Sequence, residues 1–384
     1  MKSSYEPMFG PLKWLLHLER LPDWAVLGFL LGLALAVYLA WAPAVALAAA
    51  LFQLVFTLSD WLSLALLPRL GRSFGPPKPP LIALAVVRAV LMVIAGLLWL
   101  NLALPVVLNL LISLVSLYAL WVEPFRLGVT RETLETPALD PDAPPVRLLH
   151  LGDLHMEQIG PRECALNRLV EALAPDVIVF SGDYISLLHP DFAQACDHIR
   201  RIISAWRAPL GVYVVSGSPL VETDEMVARF VEGLDNLRWL RDEAALVETD
   251  AGPITILGMS TTHEREADIP RLRELSGALP NGTFRLLLHH SPDLAPEADE
   301  LGYDLYLAGH THGGQIRLPL IGPIVTSSEF WRTYAMGRYD LENATLYVTR
   351  GIGMEGAAAP RVRLLCPPEI VLWEITGKRA EAAD

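Results

Sequence analysis

The stretch Val146-Arg147-Leu148-Leu149-His150-Leu151-Gly152-Asp153-Leu154-His155 sets a short, mostly apolar run directly against a glycine, a carboxylate and an imidazole. Six residues are too few for a stable helix, so the run reads as a strand, and Gly152 lets the backbone bend tightly just past its carboxyl end. The same arrangement recurs downstream. Val177–Phe180 runs into Ser181-Gly182-Asp183, Arg285–Leu288 into His289-His290-Ser291-Pro292, and Leu305–Ala308 into Gly309-His310-Thr311-His312-Gly313-Gly314-Gln315.

Further strand candidates are Val212–Val215, Ile254–Leu257, Leu346–Thr349 and Ile370–Trp373, and helical patterns fall at Arg162–Ala174, Asp191–Trp206, Glu222–Leu234 and Pro270–Leu275. Alternating strands and helices make an α/β layered domain with helices covering sheet faces. Loops at the carboxyl edge of such sheets converge on one crevice, so Asp153, His155, Asp183, His290, His310 and His312 can meet in space. Two carboxylates and several imidazoles form a mixed oxygen and nitrogen set that suits Mn, Fe or Zn better than Ca or Mg. Each fragment alone is a weak signal; in this order, all at strand ends, they are a strong one.

Upstream, residues 123–145 hold Pro124, Pro137, Pro141, Pro144 and Pro145 with little apolar periodicity, which reads as a linker before a domain spanning 146–376 and a tail over 377–384. Residues 1–122 read as a membrane anchor. Four apolar stretches, about Ala25–Ala42, Ala44–Leu67, Leu81–Leu100 and Pro105–Val122, each approach the length that crosses a bilayer. They show no polar face, which a soluble helix of that length would have, and the first is too long for a cleaved signal peptide. Phe9–Leu21, with Trp14, Leu15, Leu16 and Leu18 against Lys13, His17, Glu19 and Arg20, looks like an interfacial helix. Asp60 and Arg88 lie towards the ends of spans and are expected to snorkel to the interface. Basic residues precede the first span (Lys2, Lys13, Arg20) and fill the loop after the second (Arg69, Arg72, Lys78), so both termini and the domain at 146–376 are expected on the cytoplasmic side of an inner membrane. Few buried polar groups and unbroken spans argue against a transporter.

Composition agrees with this division. The 384 residues are 52% hydrophobic, too apolar for an ordinary soluble chain. Residues 1–130 hold eight Lys/Arg and five Asp/Glu, which leaves 22 and 38 for the remainder, a net charge of −16. So acidic a domain repels phosphate backbones, and no nucleic acid polymer is expected as a partner. Cys164, Cys196 and Cys366 are widely spaced and odd in number, which suggests neither a disulfide framework nor a thiolate site.

The motifs resemble those of the calcineurin-like metallophosphoesterases, in particular a bacterial branch of membrane-associated phosphodiesterases that read G-D-L-H, G-D, G-N-H-D, H-x-P-D and G-H-T-H-G-G-Q. The likeness runs from about Val146 to Ile375. It implies a four-layer α-β-β-α sandwich and two divalent ions. Asp153, His155 and His312 would hold the first ion, Asp183 would bridge, and His290 and His310 would hold the second. The resemblance picks His290 over His289 because the family's histidine stands two before the proline. Two ions about 3.5–4 Å apart would acidify a bridging water for in-line attack on phosphorus, so the expected reaction is phosphodiester or pyrophosphate hydrolysis. The branch includes pyrophosphatases of lipid A synthesis, and the expected substrate is a lipid-linked or nucleotide phosphate ester near the lipid bilayer.

One block departs from the pattern. Where the family has Gly-Asn-His-Asp, this chain has Gly217-Ser218-Pro219-Leu220. The resemblance makes that Asn a ligand of the second ion and that His a proton donor or transition-state stabiliser. Ser218 can still offer a neutral oxygen, whereas Pro219 has no proton to give. Two readings follow. In one, the enzyme is active on a substrate with a good leaving group or recruits another acid, for which His263, past the strand Ile254–Leu257, is the candidate; the plainer reading of His263 is an exposed loop histidine. In the other, the domain is a catalytically degenerate metal- or phosphate-binding membrane module, a sensor or scaffold.

Overall fold

The computed structural model describes residues 15–73, 75–187, 191–356 and 361–379. They form two compact units, one over 123–354 and 362–379, the other over 15–122 with the described part of 355–361.

The larger unit is built on two six-stranded sheets. In chain order its strands are β1 (Gly128–Thr136), β2 (Val146–Leu151), β3 (Val177–Phe180), β4 (Val212–Val214), β5 (Arg238–Trp239), β6 (Glu243–Val247), β7 (Ile254–Met259), β8 (Phe284–His289), β9 (Leu305–Ala308), β10 (Arg317–Leu318), β11 (Gly322–Pro323), β12 (Gly337–Asp340), β13 (Thr345–Val348) and β14 (Glu369–Gly377). One sheet runs β1-β14-β2-β3-β4-β5 and the other β12-β13-β9-β8-β7-β6, with β10 and β11 as a separate ribbon.

The period-2 alternation of side chains explains the layers. Leu148, Val177, Val179 and Trp373 of the first sheet share a core with Ile254, Ile256, Leu286 and Leu305 of the second. Their sequence neighbours point the other way: Leu149, Leu151, Ile178 and Phe180 pack on Leu166, Val170, Ile199, Ile203 and Phe230 of the helices Pro161–Leu173, Phe192–Ile203 and Asp224–Val231. On the far side, Leu257, Leu287 and Tyr306 pack on Leu272 and Ala298 of the helices Arg265–Gly277 and Ala295–Glu300. Both faces of each sheet are covered, which gives the expected α-β-β-α sandwich.

Within the sheets β2, β3 and β4 run parallel, as do β7, β8 and β9. Each set therefore sends its carboxyl ends to one edge, and the Asp and His residues of interest follow those ends.

The segment expected as a linker contains β1. It pairs in parallel with β14 from Gly128 opposite Glu369 to Thr136 opposite Gly377. Its apolar signal is weak because it is an edge strand with one open flank, and the prolines bracket it at Pro124 and Pro137 instead of interrupting it. The helix Arg265–Gly277 begins before the expected Pro270, which sits inside it.

The smaller unit holds four helices long and apolar enough to cross a membrane: α1 (Asp23–Ala40), α2 (Pro43–Arg69), α3 (Lys78–Leu97) and α4 (Ala103–Trp121). The expected interfacial helix lies outside the described residues up to Trp14; Leu16–Arg20 forms a 3-10 turn. Residues 380–384 of the expected tail also lie outside.

Arg88 does not snorkel. It stands roughly 15 Å along α3 from Lys78, fully buried, with a bidentate pair to Asp60 (Nε–Oδ2 2.7 Å, Nη2–Oδ1 3.0 Å). It also donates to the Asn109 carbonyl (2.8 Å) and Ser113 Oγ (2.9 Å). The pair joins α2, α3 and α4 from the inside, because a guanidinium whose donors are all engaged has no need to reach water.

Arg88→Leu would leave Asp60 buried without its partner, and we expect a loss of about 3–5 kcal/mol in detergent unfolding measurements. Asp60→Leu/Arg88→Leu should recover most of it; equal stability of the single variant and wild type would show that the pair is not what holds these helices together.

His150, on β2, is fully buried with Nε2 3.1 Å from Ser181 Oγ, and burial pushes its imidazole down to about 3. Below the unfolded value near 6.5 the unfolded chain takes a proton that the folded residue refuses. Stability should therefore fall as pH drops through that window, by up to ~1.4 kcal/mol per pH unit from this residue. Urea midpoints of His150→Gln should decline less steeply than wild type between about pH 6 and about pH 4, and parallel profiles would contradict this assignment.

Candidate metal centre

Six loops at the common sheet edge bring the chemistry together. Asp153 and His155 follow β2, Asp183 follows β3 and Ser218 follows β4; His263 follows β7, His290 directly follows β8, and His310 and His312 follow β9. Asp153, His155, Asp183 and His312 offer ligand atoms that all lie within 4.8 Å of one another, and so do His263, His290 and His310.

The Asp183 carboxylate lies between the two groups. Its Oδ2 is 3.4 Å from His155 Nε2 and 3.3 Å from His290 Nε2, while its Oδ1 accepts from the Ser218 amide at 2.6 Å. His155 Nε2 and His312 Nε2 face each other at 2.9 Å. Asp153 Oδ1 accepts from the His310 amide at 2.9 Å and lies 4.0 Å from both His312 Nε2 and His290 Nδ1. Ser218 Oγ is 3.2 Å from His290 Nε2 and 3.4 Å from His310 Nδ1. His289 Nδ1 turns instead to the Ser291 carbonyl (2.9 Å) and Tyr306 Oη (3.0 Å), and His289 belongs to neither cluster.

Six of these seven carboxylate and imidazole residues, all but His290, hold left-handed backbone: Asp153 (φ 51°), His155 (42°), Asp183 (59°), His263 (59°), His310 (72°) and His312 (52°). Residues other than glycine seldom adopt it, at a cost of order 1 kcal/mol or more each, and such strain concentrates at functional sites. Close backbone contacts hold it in place. A Cβ on Gly217 would run into the backbone and carboxylate of Asp183, and one on Gly351 (φ 73°) would fall 2.6 Å from Asp153 Cβ.

The electrostatics suit cations. Burial alone would raise the Asp183 carboxyl, but the imidazoles of His290, His155 and His310 overcome it and hold the group well below the ordinary carboxylate range. Burial lifts Asp153 to about 6. His290 is raised to about 9 because the Asp183 and Asp153 carboxylates outweigh its burial. Burial and the neighbouring imidazoles push His310 down to about 4 and hold His263 and His312 well below their usual value. His263, His310 and His312 are thus neutral lone-pair donors close to the ionised Asp183 oxygen, and a cation at His290 would displace the proton its carboxylate neighbours hold there. Asp153 Oδ2 is buried with no hydrogen-bond partner among the described residues, which a cation would correct.

Two further residues act here that the sequence reading passed over. Glu222 fell into the first turn of an expected helix; the helix starts at Asp224, and the buried Glu222 carboxylate accepts from the amides of Gly217 (2.6 Å), Tyr184 (2.8 Å) and Asp183 (3.3 Å). It ties the loop after β3 to the loop after β4, and burial together with the Asp183 charge raises it to about 7. Arg363, fully buried, donates to the carbonyls of Arg350 (2.8 Å), Gly351, Gly353 and Cys366 (each 3.1 Å), which fixes the loop that lies on Asp153. Neither has a local sequence signal, since both work on backbone groups.

Residues 146–314 match the family model described as calcineurin-like phosphoesterase. The chain is 28% identical over 268 residues to an uncharacterised metallophosphoesterase, YkuE, of Bacillus subtilis, an alignment covering 67% of this chain and 88% of that protein. It is 27% identical over 244 residues to phosphodiesterase YaeI of Escherichia coli (61% and 83% covered). It is 23% identical over 305 residues to UDP-2,3-diacylglucosamine pyrophosphatase LpxG of Chlamydia trachomatis (65% and 90% covered). With the matched segment running from β2 through both clusters, residues 146–314 carry a calcineurin-like metallophosphoesterase domain, that of a hydrolase of phosphoester bonds.

Proposed function

We propose that the chain is a membrane-anchored phosphohydrolase with two divalent ions that cleaves a lipid-linked phosphodiester or pyrophosphate. The observation that carries the two-ion reading is the Asp183 carboxylate, within 3.4 Å of an imidazole from each cluster. Asp153, His155 and His312 would hold one ion, His290 and His310 the other, and Asp183 would serve both. Such ions supply Lewis acidity to a phosphoryl group and ease deprotonation of a water.

The protein's own part is positioning. The amide of Ser218 and the Glu222 bracket fix Asp183, while burial keeps His310 and His312 neutral and able to donate lone pairs. Pro219 has no proton to give at the place where the family has histidine. A positioned acid contributes ~10²–10⁴-fold, most of it for poor leaving groups, so the site favours a leaving group that departs as a stable anion, such as a nucleotide phosphate or an aryl oxide. The same substitution favours the second reading, a metal-binding module without turnover.

A lipid-linked substrate is supported by a groove of about 450 Å³ lined by Leu318, Leu320, Ile321 and Leu365 with Arg317 and Arg332. Its apolar side chains are exposed, and Arg317 donates at 3.0 Å to the carbonyl of Gly313, next to His312. Apolar wall and guanidinium together fit an acyl chain with a phosphate headgroup. The relationship to LpxG, whose name specifies a diacylated nucleotide sugar, is in keeping with that substrate class.

Purified full-length protein with Mn²⁺ should hydrolyse a bis-aryl phosphodiester and a nucleotide-linked lipid pyrophosphate, and Asp183→Asn should lower both ~100-fold or more. Leu320→Glu/Ile321→Glu should raise KM for the lipid substrate ~10-fold and leave the aryl diester unaffected. Metal uptake without turnover of any such ester would favour the non-catalytic module, and equal effects on both substrates would remove the groove from the argument.

The basic residues near the first two spans favour a cytoplasmic active site. A reporter fused after Asp384 should behave as cytoplasmic in whole cells; periplasmic behaviour would move the substrate to the other leaflet.

A further inference from the structure

We infer that His263 supplies the donor to the second ion that Gly217-Ser218-Pro219-Leu220 no longer provides, so that this centre is built from three imidazoles and the shared Asp183 carboxylate. The inference rests on the two-ion reading above and adds a ligand from a loop that the family motifs do not include.

The geometry converges on one point. Ser218 Oγ lies 3.0 Å from His263 Nε2, 3.2 Å from His290 Nε2, 3.4 Å from His310 Nδ1 and 3.5 Å from Asp183 Oδ2. A hydroxyl has one proton and two lone pairs and cannot serve four partners at once. The ligand nitrogens of His263, His290 and His310 all lie within 4.8 Å of one another, a spacing at which one cation could be held by all three, with Ser218 Oγ beside it where an amide oxygen would have been.

His263 is held there. Its ring stacks on His310, with centroids 4.3 Å apart and planes 29° from parallel, and the residue is buried. Its loop is fastened by Asp268 on the following helix, which accepts from Thr262 N (3.1 Å) and Thr262 Oγ1 (2.8 Å). An exposed loop histidine would be neither buried nor stacked. A proton donor would turn its Nε2 towards a leaving group, whereas this Nε2 faces the same point as the nitrogens of His290 and His310.

Exchanging an amide oxygen for an imidazole changes the preference of the site. Imidazole suits zinc, iron and cobalt, and oxygen donors suit manganese, so the second position should discriminate against Mn²⁺ more strongly than the first, which keeps two carboxylates.

The test uses full-length protein in detergent, stripped with a chelator and titrated with Co²⁺, read by bound metal per chain and by the visible d–d bands. Wild type should bind two equivalents. His263→Ala should bind the first unchanged and the second at least ~10-fold more weakly with altered bands, and Ser218→Asn/His263→Ala should restore the second. His263→Gln, which keeps a neutral donor and guards against a packing defect in the alanine variant, should retain it with shifted bands. Two equivalents at unchanged affinity and identical bands in His263→Ala would overturn the inference and leave the two-ion reading intact. A single equivalent in wild type would overturn both.

Discussion

The arrangement depends on placing one ionised carboxylate, that of Asp183, in a buried setting where imidazoles from both sheets can reach it. A buried carboxylate is tolerated only when it is hydrogen-bonded and its charge is balanced. The Ser218 amide meets the first demand at 2.6 Å, and His155 and His290 approach its other oxygen from opposite sheets. The spacing of the two clusters is therefore set by how closely the sheets pack. That in turn is set by the apolar layer of Leu148, Val177, Val179, Leu286, Leu305 and Trp373. Core packing and site geometry are one problem in this fold.

Around that centre the chain uses backbone groups more than side chains. Glu222 and Arg363 are both buried ionisable side chains, and each collects main-chain partners from loops that carry or touch the ligating residues. Their work resembles that of the outer hydrogen bonds that orient metal ligands elsewhere. The replacement of Asn-His by Ser218-Pro219 then has two separable effects: it removes an oxygen donor, for which a neighbouring imidazole is at hand, and a proton source, for which no substitute stands at the same position.

How much of this could be read beforehand follows from burial. Strands covered on both faces are continuous apolar runs, and Val146–Leu151, Val177–Phe180 and Leu305–Ala308 have the bounds the sequence suggests. Edge strands are not: Gly128–Thr136 alternates with polar residues and was disguised as a linker by turn-rich surroundings, and Glu243–Val247 is a short run of small and apolar residues that leaves Leu246 exposed. The convergence of the Asp and His residues was legible because each follows a strand in a parallel set. The burial of His263, the left-handed backbone and the bracing by Glu222 and Arg363 were not, since they depend on loop paths that no local pattern encodes. Arg88 was misread because its partners, Asp60 and Asn109, lie on other helices.

The order β1-β14-β2 bears on how the protein comes into being. β1 follows soon after the last apolar helix, yet its one neighbour is β14, some 230 residues later, and β14 also separates it from β2. While the chain is still being synthesised, β1 and the outer flank of β2 must wait without partners until residue 377 has left the ribosome. Nascent domains with strand edges open for that long are prone to aggregate and to call on chaperones.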